Sequence, residues 1–193
     1  MTGNGTRLPV VGGARVAGEP PRFQRIAIVG IGAFGASLAM AVRRAWPQSL
    51  VIGVDTADAI EAAIRLHAID VGSGDLMIAG EADLIALTGG PDENNRVMPY
   101  LADAITGEAT VLVVGGSDAL TERARSLPGR LQIVAGVPNL ERRGNGIQAA
   151  SADLFRGRSW TITPVTAGRE SVESIHSLVR AISGSAGPAA PQV

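Results

Sequence analysis

Residues 25–55 constrain the fold of this chain more than any other stretch, because they read as a strand, a glycine-rich turn, a helix and a second strand ending in an acid. Arg25-Ile-Ala-Ile-Val-Gly30 is a short apolar run suited to a buried parallel strand. It opens directly into Gly30-Ile31-Gly32-Ala33-Phe34-Gly35, a match to G-x-G-x-x-G. Gly30 permits the tight turn, Gly32 lets the backbone approach a pyrophosphate, and Gly35 lets the following helix pack closely on the strand. A helix starting there aims unpaired N–H groups and a partial positive charge at the phosphates.

The flanking residues support this. Residues 33–46 have helical spacing, with Ser37, Leu38, Met40, Ala41 and Val42 on a packed face, and Pro47 stops the helix. Leu50-Val-Ile-Gly-Val-Asp55 is a second apolar strand, and its acid lies twenty residues beyond Gly35. From that position a carboxylate accepts hydrogen bonds from the adenosine ribose hydroxyls. A 2′-phosphate would be repelled there, and Thr56-Ala57-Asp58 offers no arginine to receive one. NAD rather than NADP is the expected cofactor. Gly30, Ile31, Gly32, Ala33, Phe34, Gly35, Asp55 and Thr56 are its expected contacts.

Beyond Asp55 the alternation of strand and helix continues, which predicts a parallel sheet covered on both faces. Helices are expected over residues 57–66, 91–105, 118–127 and 169–183, and strands over 82–88, 110–114, 131–135 and 160–163. Pro91, Asp92 and Glu93 mark a helix start, and Ser117 or Asp118 would cap the helix that follows Gly115-Gly116. The expected fold is a Rossmann-like α/β domain, a doubly wound, mainly parallel sheet over residues 23–183. A disordered leader (1–22) and a flexible tail (184–193), both rich in Gly, Pro and small residues, would flank it.

Composition narrows the chemistry. At 193 residues the chain suits one well-buried domain. A net charge of −1 provides no basic field for nucleic acid or an anionic membrane. Cysteine is absent, which excludes disulfides, thiolate metal sites and cysteine nucleophiles. All 17 basic residues are arginine, so neither a Schiff-base lysine nor a Walker-type lysine is available. Scattered acids such as Asp70, Asp75 and Asp83 show no metal-ligand grouping. No apolar run reaches membrane-spanning length, so a cytoplasmic location is expected.

Three blocks resemble the nucleotide-binding domain of the prephenate dehydrogenase family, which includes the arogenate and aminodeoxyprephenate enzymes. The first is Arg25-Ile-Ala-Ile-Val-Gly-Ile-Gly-Ala-Phe-Gly-Ala-Ser-Leu-Ala with Val51-Ile-Gly-Val-Asp55. The second, His67-Ala-Ile-Asp70, is similar to the family's G-A-I-D turn. The third and most specific is Gly146-Ile-Gln-Ala-Ala-Ser-Ala-Asp-Leu-Phe-Arg-Gly-Arg-Ser-Trp160-Thr-Ile-Thr-Pro164, which resembles G-x-x-x-A-x-x-x-L-F-x-G-x-x-W-x-L-T-P.

The resemblance implies hydride transfer from a cyclohexadienyl ring carbon to NAD(P)+, with loss of carboxylate and aromatisation. It also brings Thr88 and Gly89 to the nicotinamide, in place of the family's A-T-P loop. The family histidine that bonds the 4-hydroxyl lies in a G-x-H-P-M-x-G segment, which here reads Gly136-Val137-Pro138-Asn139-Leu140-Glu141. Val137 stands in the histidine's place. Of the family's D-x-G-S-x-K, Gly116 and Ser117 remain. Family members continue into a helical dimerisation domain with a substrate-binding arginine. The 193 residues stop before such a segment, so a homodimer or a separate partner chain is the expectation.

Ser117 is a candidate catalytic residue or a helix cap. Asn139 is a candidate polar group facing the nicotinamide, with Arg142, Arg143 and Asn145 near it as possible contacts to an anionic substrate. Tyr100 is expected to pack, His67 to end a helix, and His176 to sit beside the apolar stripe of the last helix. The function these residues support is NAD-dependent oxidation of a small carboxylated substrate. The alternatives are a redox-silent NAD(H)-binding module or partner subunit, and a non-redox enzyme that reuses the substrate cleft.

Overall fold

The computed structural model describes residues 21–115, 118–140 and 146–184. The leader up to residue 20, Ser117, Arg142, Arg143, Asn145 and the tail from residue 185 lie outside the described residues. Seven strands form one sheet: β1 (Arg25–Val29), β2 (Leu50–Val54), β3 (Val71–Ser73), β4 (Leu84–Leu87), β5 (Ala109–Val114), β6 (Leu131–Pro138) and β7 (Trp160–Pro164). Their order is β3-β2-β1-β4-β5-β6-β7. The first six are parallel, and β7 runs antiparallel to β6. The sheet grows from β1 toward β3, then the chain returns to the other side of β1 with β4 and grows the opposite way. A cleft opens at that switch point, between the carboxyl ends of β1 and β4.

Helices α1 (Ala33–Ala45), α2 (Ala57–Arg65), α3 (Pro91–Val97), α4 (Leu101–Ala104), α5 (Asp118–Arg125) and α6 (Arg169–Ser183) alternate with the strands. Successive strand residues point to opposite faces, so each central strand feeds two cores. Ile26 and Ile28 of β1 pack with Leu38 and Val42 of α1 and with Ile175, Leu178 and Ile182 of α6. Ala27 and Val29 pack on the other face with Met98, Leu101 and Leu120. Burial on both faces is why these strands read as unbroken apolar runs.

Three features depart from the sequence expectations. Strand β3 was not predicted; its three residues, Val71, Gly72 and Ser73, are partly exposed and too few to show a period. The helix expected over 91–105 is divided into α3 and α4 by a 3₁₀ turn at Met98–Tyr100. Pro99 lacks an N–H, and its ring crowds the carbonyl four residues earlier. Strand β6 runs three residues beyond its expected end, because pairing with β7 extends to Val137↔Thr161 and Pro138↔Trp160. The family-type turn after α2 also has a local reason. His67 has φ 53°, a left-handed backbone that glycine favours and histidine tolerates. Asp70 then accepts the Val51 N–H at 2.8 Å and pairs with Arg43, tying α1 to β2.

The connection from β6 to β7 returns across α1 as a strap. Ser37, buried in α1, donates to Ala33 O at 2.6 Å and accepts the Ser151 N–H at 2.9 Å. Arg44 donates to Ala152 O at 2.7 Å and pairs with Asp153 at 2.6 Å. The Arg44 guanidinium, by hydrogen bond and charge, holds the Asp153 carboxyl below the usual carboxylate range. With its folded pKa depressed, this pair's small surface contribution is present above that range and lost as pH falls through the folded value. Beneath the strap, Phe155 meets Phe34 edge-on, with centroids 5.1 Å apart and planes at 72°, and lies 5.4 Å from Trp160. Phe155 and Trp160 are fully buried.

Because Phe155 anchors the strap to the start of α1, Phe155→Ala is expected to destabilise the domain by about 3–5 kcal/mol. Urea denaturation would measure this, and a loss well below 1 kcal/mol would show that the strap is held by something else.

Candidate nucleotide site

The turn after β1 is shaped by backbone contacts that exclude side chains. Gly30 has φ +91°, and its N–H donates to Val54 O at 3.0 Å. A Cβ built there would fall 2.6 Å from Gly89 N, so the ends of β1 and β4 touch through their backbones. A Cβ on Gly35 would fall 2.1 Å from Gly30 O and 2.6 Å from Thr88 Oγ1, so a hydrogen is all that fits where α1 crosses the turn. Gly32 differs. It caps α1 in extended backbone without a side-chain bond, and a Cβ there would meet nothing within 4 Å. Its open side faces the cleft at the helix end. The first turn of α1 carries no acid, so its N–H groups and partial positive charge are available to an anion.

The walls are fixed by polar side chains on neighbouring strands. Asp55, just past β2, accepts the Ile31 N–H through Oδ2 and the Thr56 N–H through Oδ1 at 2.6 Å. Thr88, just past β4, turns its hydroxyl to Gly30 O at 2.7 Å and Val29 O at 3.0 Å. The buried amide of Asn94 donates to Gly89 O at 3.0 Å and Leu87 O at 3.4 Å, which holds the Gly89-Gly90 turn.

The resulting cleft has a volume of about 1080 Å³. Its polar side is formed by residues 30–34, Asp55, residues 88–90 and Glu93. Its apolar side, toward β6 and the strap, is formed by Val137, Pro138, Leu140, Ile147 and Leu154. A smaller cavity of about 270 Å³ opens beside the ends of β1 and β2, lined by Val29, Val54, Gly74, Leu76, Arg96, Val97 and Tyr100.

The residues singled out in the sequence fall into distinct places. Gly30, Ile31, Gly32, Ala33, Phe34, Asp55, Thr88 and Gly89 all line the cleft. Gly35 lies beneath it as a packing contact. Thr56 is the N-cap of α2, where its hydroxyl accepts the Ala59 N–H at 3.4 Å. Val137 projects into the cleft at 47% exposure. Asn139 is exposed beside the cleft rather than in its lining, and its backbone N–H bonds Ser159 O at 2.9 Å. His67 and His176 do not line it, and Tyr100 is 65% exposed at the mouth of the smaller cavity rather than packed. Among the described residues no cluster of three or more His, Asp or Glu could hold a metal, and no helix is long and apolar enough to cross a membrane.

Two charged lining residues were not read from the sequence as site residues. Glu93 was read only as a helix-start acid, yet one turn of α3 brings it back over Gly89. Arg96 is far from Asp55 in sequence, and the sheet order brings it beside the end of β2.

A family model described as the nucleotide-binding domain of prephenate dehydrogenase matches residues 38–186. The chain belongs to this family. The match begins inside α1, after the glycine turn, and runs through the strap and α6. The prephenate dehydrogenase of Bacillus subtilis is 28% identical over 162 residues, covering 80% of this chain and 43% of that protein. The crystal structure of Aquifex aeolicus prephenate dehydrogenase superposes with a TM-score of 0.77 at 21% identity, covering 87% of this chain and 62% of that one. Synechocystis arogenate dehydrogenase gives a TM-score of 0.71 at 22% identity, covering 82% and 56%. The chain thus spans less than half the length of the Bacillus protein and about 60% of these structures. Within this family's fold, the third sequence block is the strap and β7, whose Phe155 and Trp160 pack against Phe34.

The two glycines of the turn should separate binding from folding. Gly32→Val is expected to abolish nucleotide binding while leaving the thermal midpoint nearly unchanged, because its side chain enters the cleft. Gly35→Ala is expected to cost about 1–3 kcal/mol or more through overpacking. Calorimetric titration with NAD+ and urea denaturation would check the pair, and persistent binding in Gly32→Val would make the turn structural only.

Proposed function

We propose that this domain binds NAD and serves an oxidoreductase of the prephenate dehydrogenase type, acting on a small cyclohexadienyl carboxylate in tyrosine-related or specialised metabolism. One observation carries the cofactor: the open glycine turn at the start of α1 and the Asp55 carboxylate meet at the sheet's switch point. The diphosphate would lie on the N–H groups beside Gly32, and the adenosine ribose would donate to Asp55. The base would enter the smaller cavity between its valines, Arg96 and Tyr100. The Asp55 charge disfavours a 2′-phosphate, which supports NAD over NADP. A related Aquifex aeolicus structure is described in complex with hydroxyphenyl propionate and NAD+, in keeping with this assignment.

When bound, the dinucleotide supplies a hydride acceptor. The chain contributes binding, orientation and an apolar wall that excludes water from the reacting end. Val137 favours a second reading. It lines that end without a proton to exchange, where the family resemblance places a histidine. A redox-silent NAD(H)-binding module, a partner subunit, or a non-redox enzyme in the same cleft would all tolerate a valine there.

Incubation with NAD+ and prephenate, or its amino analogue, is expected to produce NADH absorbance, and Val137→His to raise the rate by about a hundred- to ten-thousandfold. Tight NAD+ binding with no turnover in either protein would favour the redox-silent reading.

Asp55→Ala is expected to weaken NAD+ by about ten- to a hundredfold and to narrow its advantage over NADP+. Unchanged affinity for both nucleotides would overturn the cofactor assignment.

A further inference from the structure

The cleft carries two carboxylates, Asp55 and Glu93, on opposite sides of the glycine turn. On the β2 side, Asp55 is tied to the turn through the Ile31 N–H. On the β4 side, Glu93 lies over Gly89, where a built Cβ would fall 2.6 Å from Glu93 Oε2. Gly89 in turn lies against Gly30, so Asp55 meets the turn directly and Glu93 meets it through Gly89. Asn94, next to Glu93 in α3, anchors this side through its bond to Gly89 O. Among the described residues no donor or cation is paired with the Glu93 carboxylate. Its acceptor lone pairs face the cleft uncommitted.

We propose that Glu93 accepts hydrogen bonds from the second ribose of a dinucleotide, the sugar on the far side of the diphosphate from Asp55. This rests on the dinucleotide reading above. In the sheet, β2 and β4 flank β1, so a diphosphate centred on the start of α1 sends one sugar toward Asp55 and the other toward Glu93. A vicinal diol presents two O–H donors, which suit a carboxylate's two oxygens and need no counter-ion. The negative charge of two carboxylates beside a diphosphate is offset by the N–H groups of an α1 first turn that carries no acid. Glu93 thereby distinguishes a dinucleotide, which has a sugar for each carboxylate, from ADP, which has one.

Calorimetric titration of the purified chain with NAD+, ADP-ribose and ADP tests this. Glu93→Ala is expected to weaken NAD+ and ADP-ribose by about ten- to a hundredfold and to leave ADP unchanged. Glu93→Gln, which keeps a neutral acceptor, is expected to fall between Glu93→Ala and the unaltered chain. Asp55→Ala is expected to weaken all three ligands. Three results would overturn the proposal: NAD+ binding unchanged in Glu93→Ala; ADP weakened as much as NAD+, which marks a collapsed β4 turn; or NAD+ weakened without ADP-ribose, which marks a contact to the nicotinamide amide. Failure of the unaltered chain to bind NAD+ or ADP is a separate outcome and overturns the dinucleotide reading itself.

Discussion

The backbone contact between the end of β1 and the end of β4 is the constraint on which the rest of this structure depends. Gly30 rests on Gly89, Gly35 rests on Gly30, and the Thr88 hydroxyl bridges to the Gly30 carbonyl. None of these approaches leaves room for a Cβ. The contact sets the entry angle of α1, and α1 then organises one face of the sheet through Leu38, Val42 and the strap bonded at Ser37. It also forms part of the cleft wall, since Gly30, Thr88 and Gly89 all line it. Fold and cleft therefore share a cause, and the packing glycine at position 35 and the cleft-facing glycine at position 32 differ only in which way the missing side chain would point.

Much of this was legible in the sequence because the signals were local. The apolar runs of β1, β2, β4 and β5, the Pro47 stop and the twenty-residue spacing to Asp55 each report a short-range physical requirement. What escaped was either too short or too distant. Strand β3 has three residues and draws its stability from pairing with β2 rather than from a pattern of its own. The extension of β6 depends on an antiparallel partner that arrives more than twenty residues later. Glu93 and Arg96 look like ordinary helix-surface charges in sequence. They become lining residues because the sheet order places α3 beside the switch point, a long-range fact that no local window contains. Thr56 shows the opposite case, a residue beside the motif whose hydroxyl is occupied as a helix cap.

The cleft has two halves of different physical character. The half between β2 and β4 is polar and preorganised: carbonyls, amides and the Asp55 carboxylate are already engaged with one another, so little rearrangement is needed to meet a ligand. The half toward β6 is apolar and is closed by the strap, which crosses α1 and is bonded to it at Ser37 and Arg44. Phe34 joins the halves, since it lines the cleft beside the glycine turn and packs on Phe155 and Trp160 below the strap. A change in strap packing would be felt at the start of α1 through that ring.

The placement of residue 137 follows from the scaffold rather than from its own side chain. Strand β6 pairs with β7 through Gly136↔Ile162 and Val137↔Thr161, so the pleat fixes which residue faces inward. Gly136 takes the inward position: a Cβ there would fall 2.8 Å from Leu112 Cδ1 and 3.4 Å from the Trp160 ring. Position 137 must then project outward into the cleft, whatever residue occupies it. The geometry of that projection and the chemistry it delivers are separable, and a valine here keeps the first without a group that can exchange a proton. Phe34, Phe155 and Trp160 pack together behind this stretch, so the β6 end of the cleft is an apolar surface on a closely packed frame.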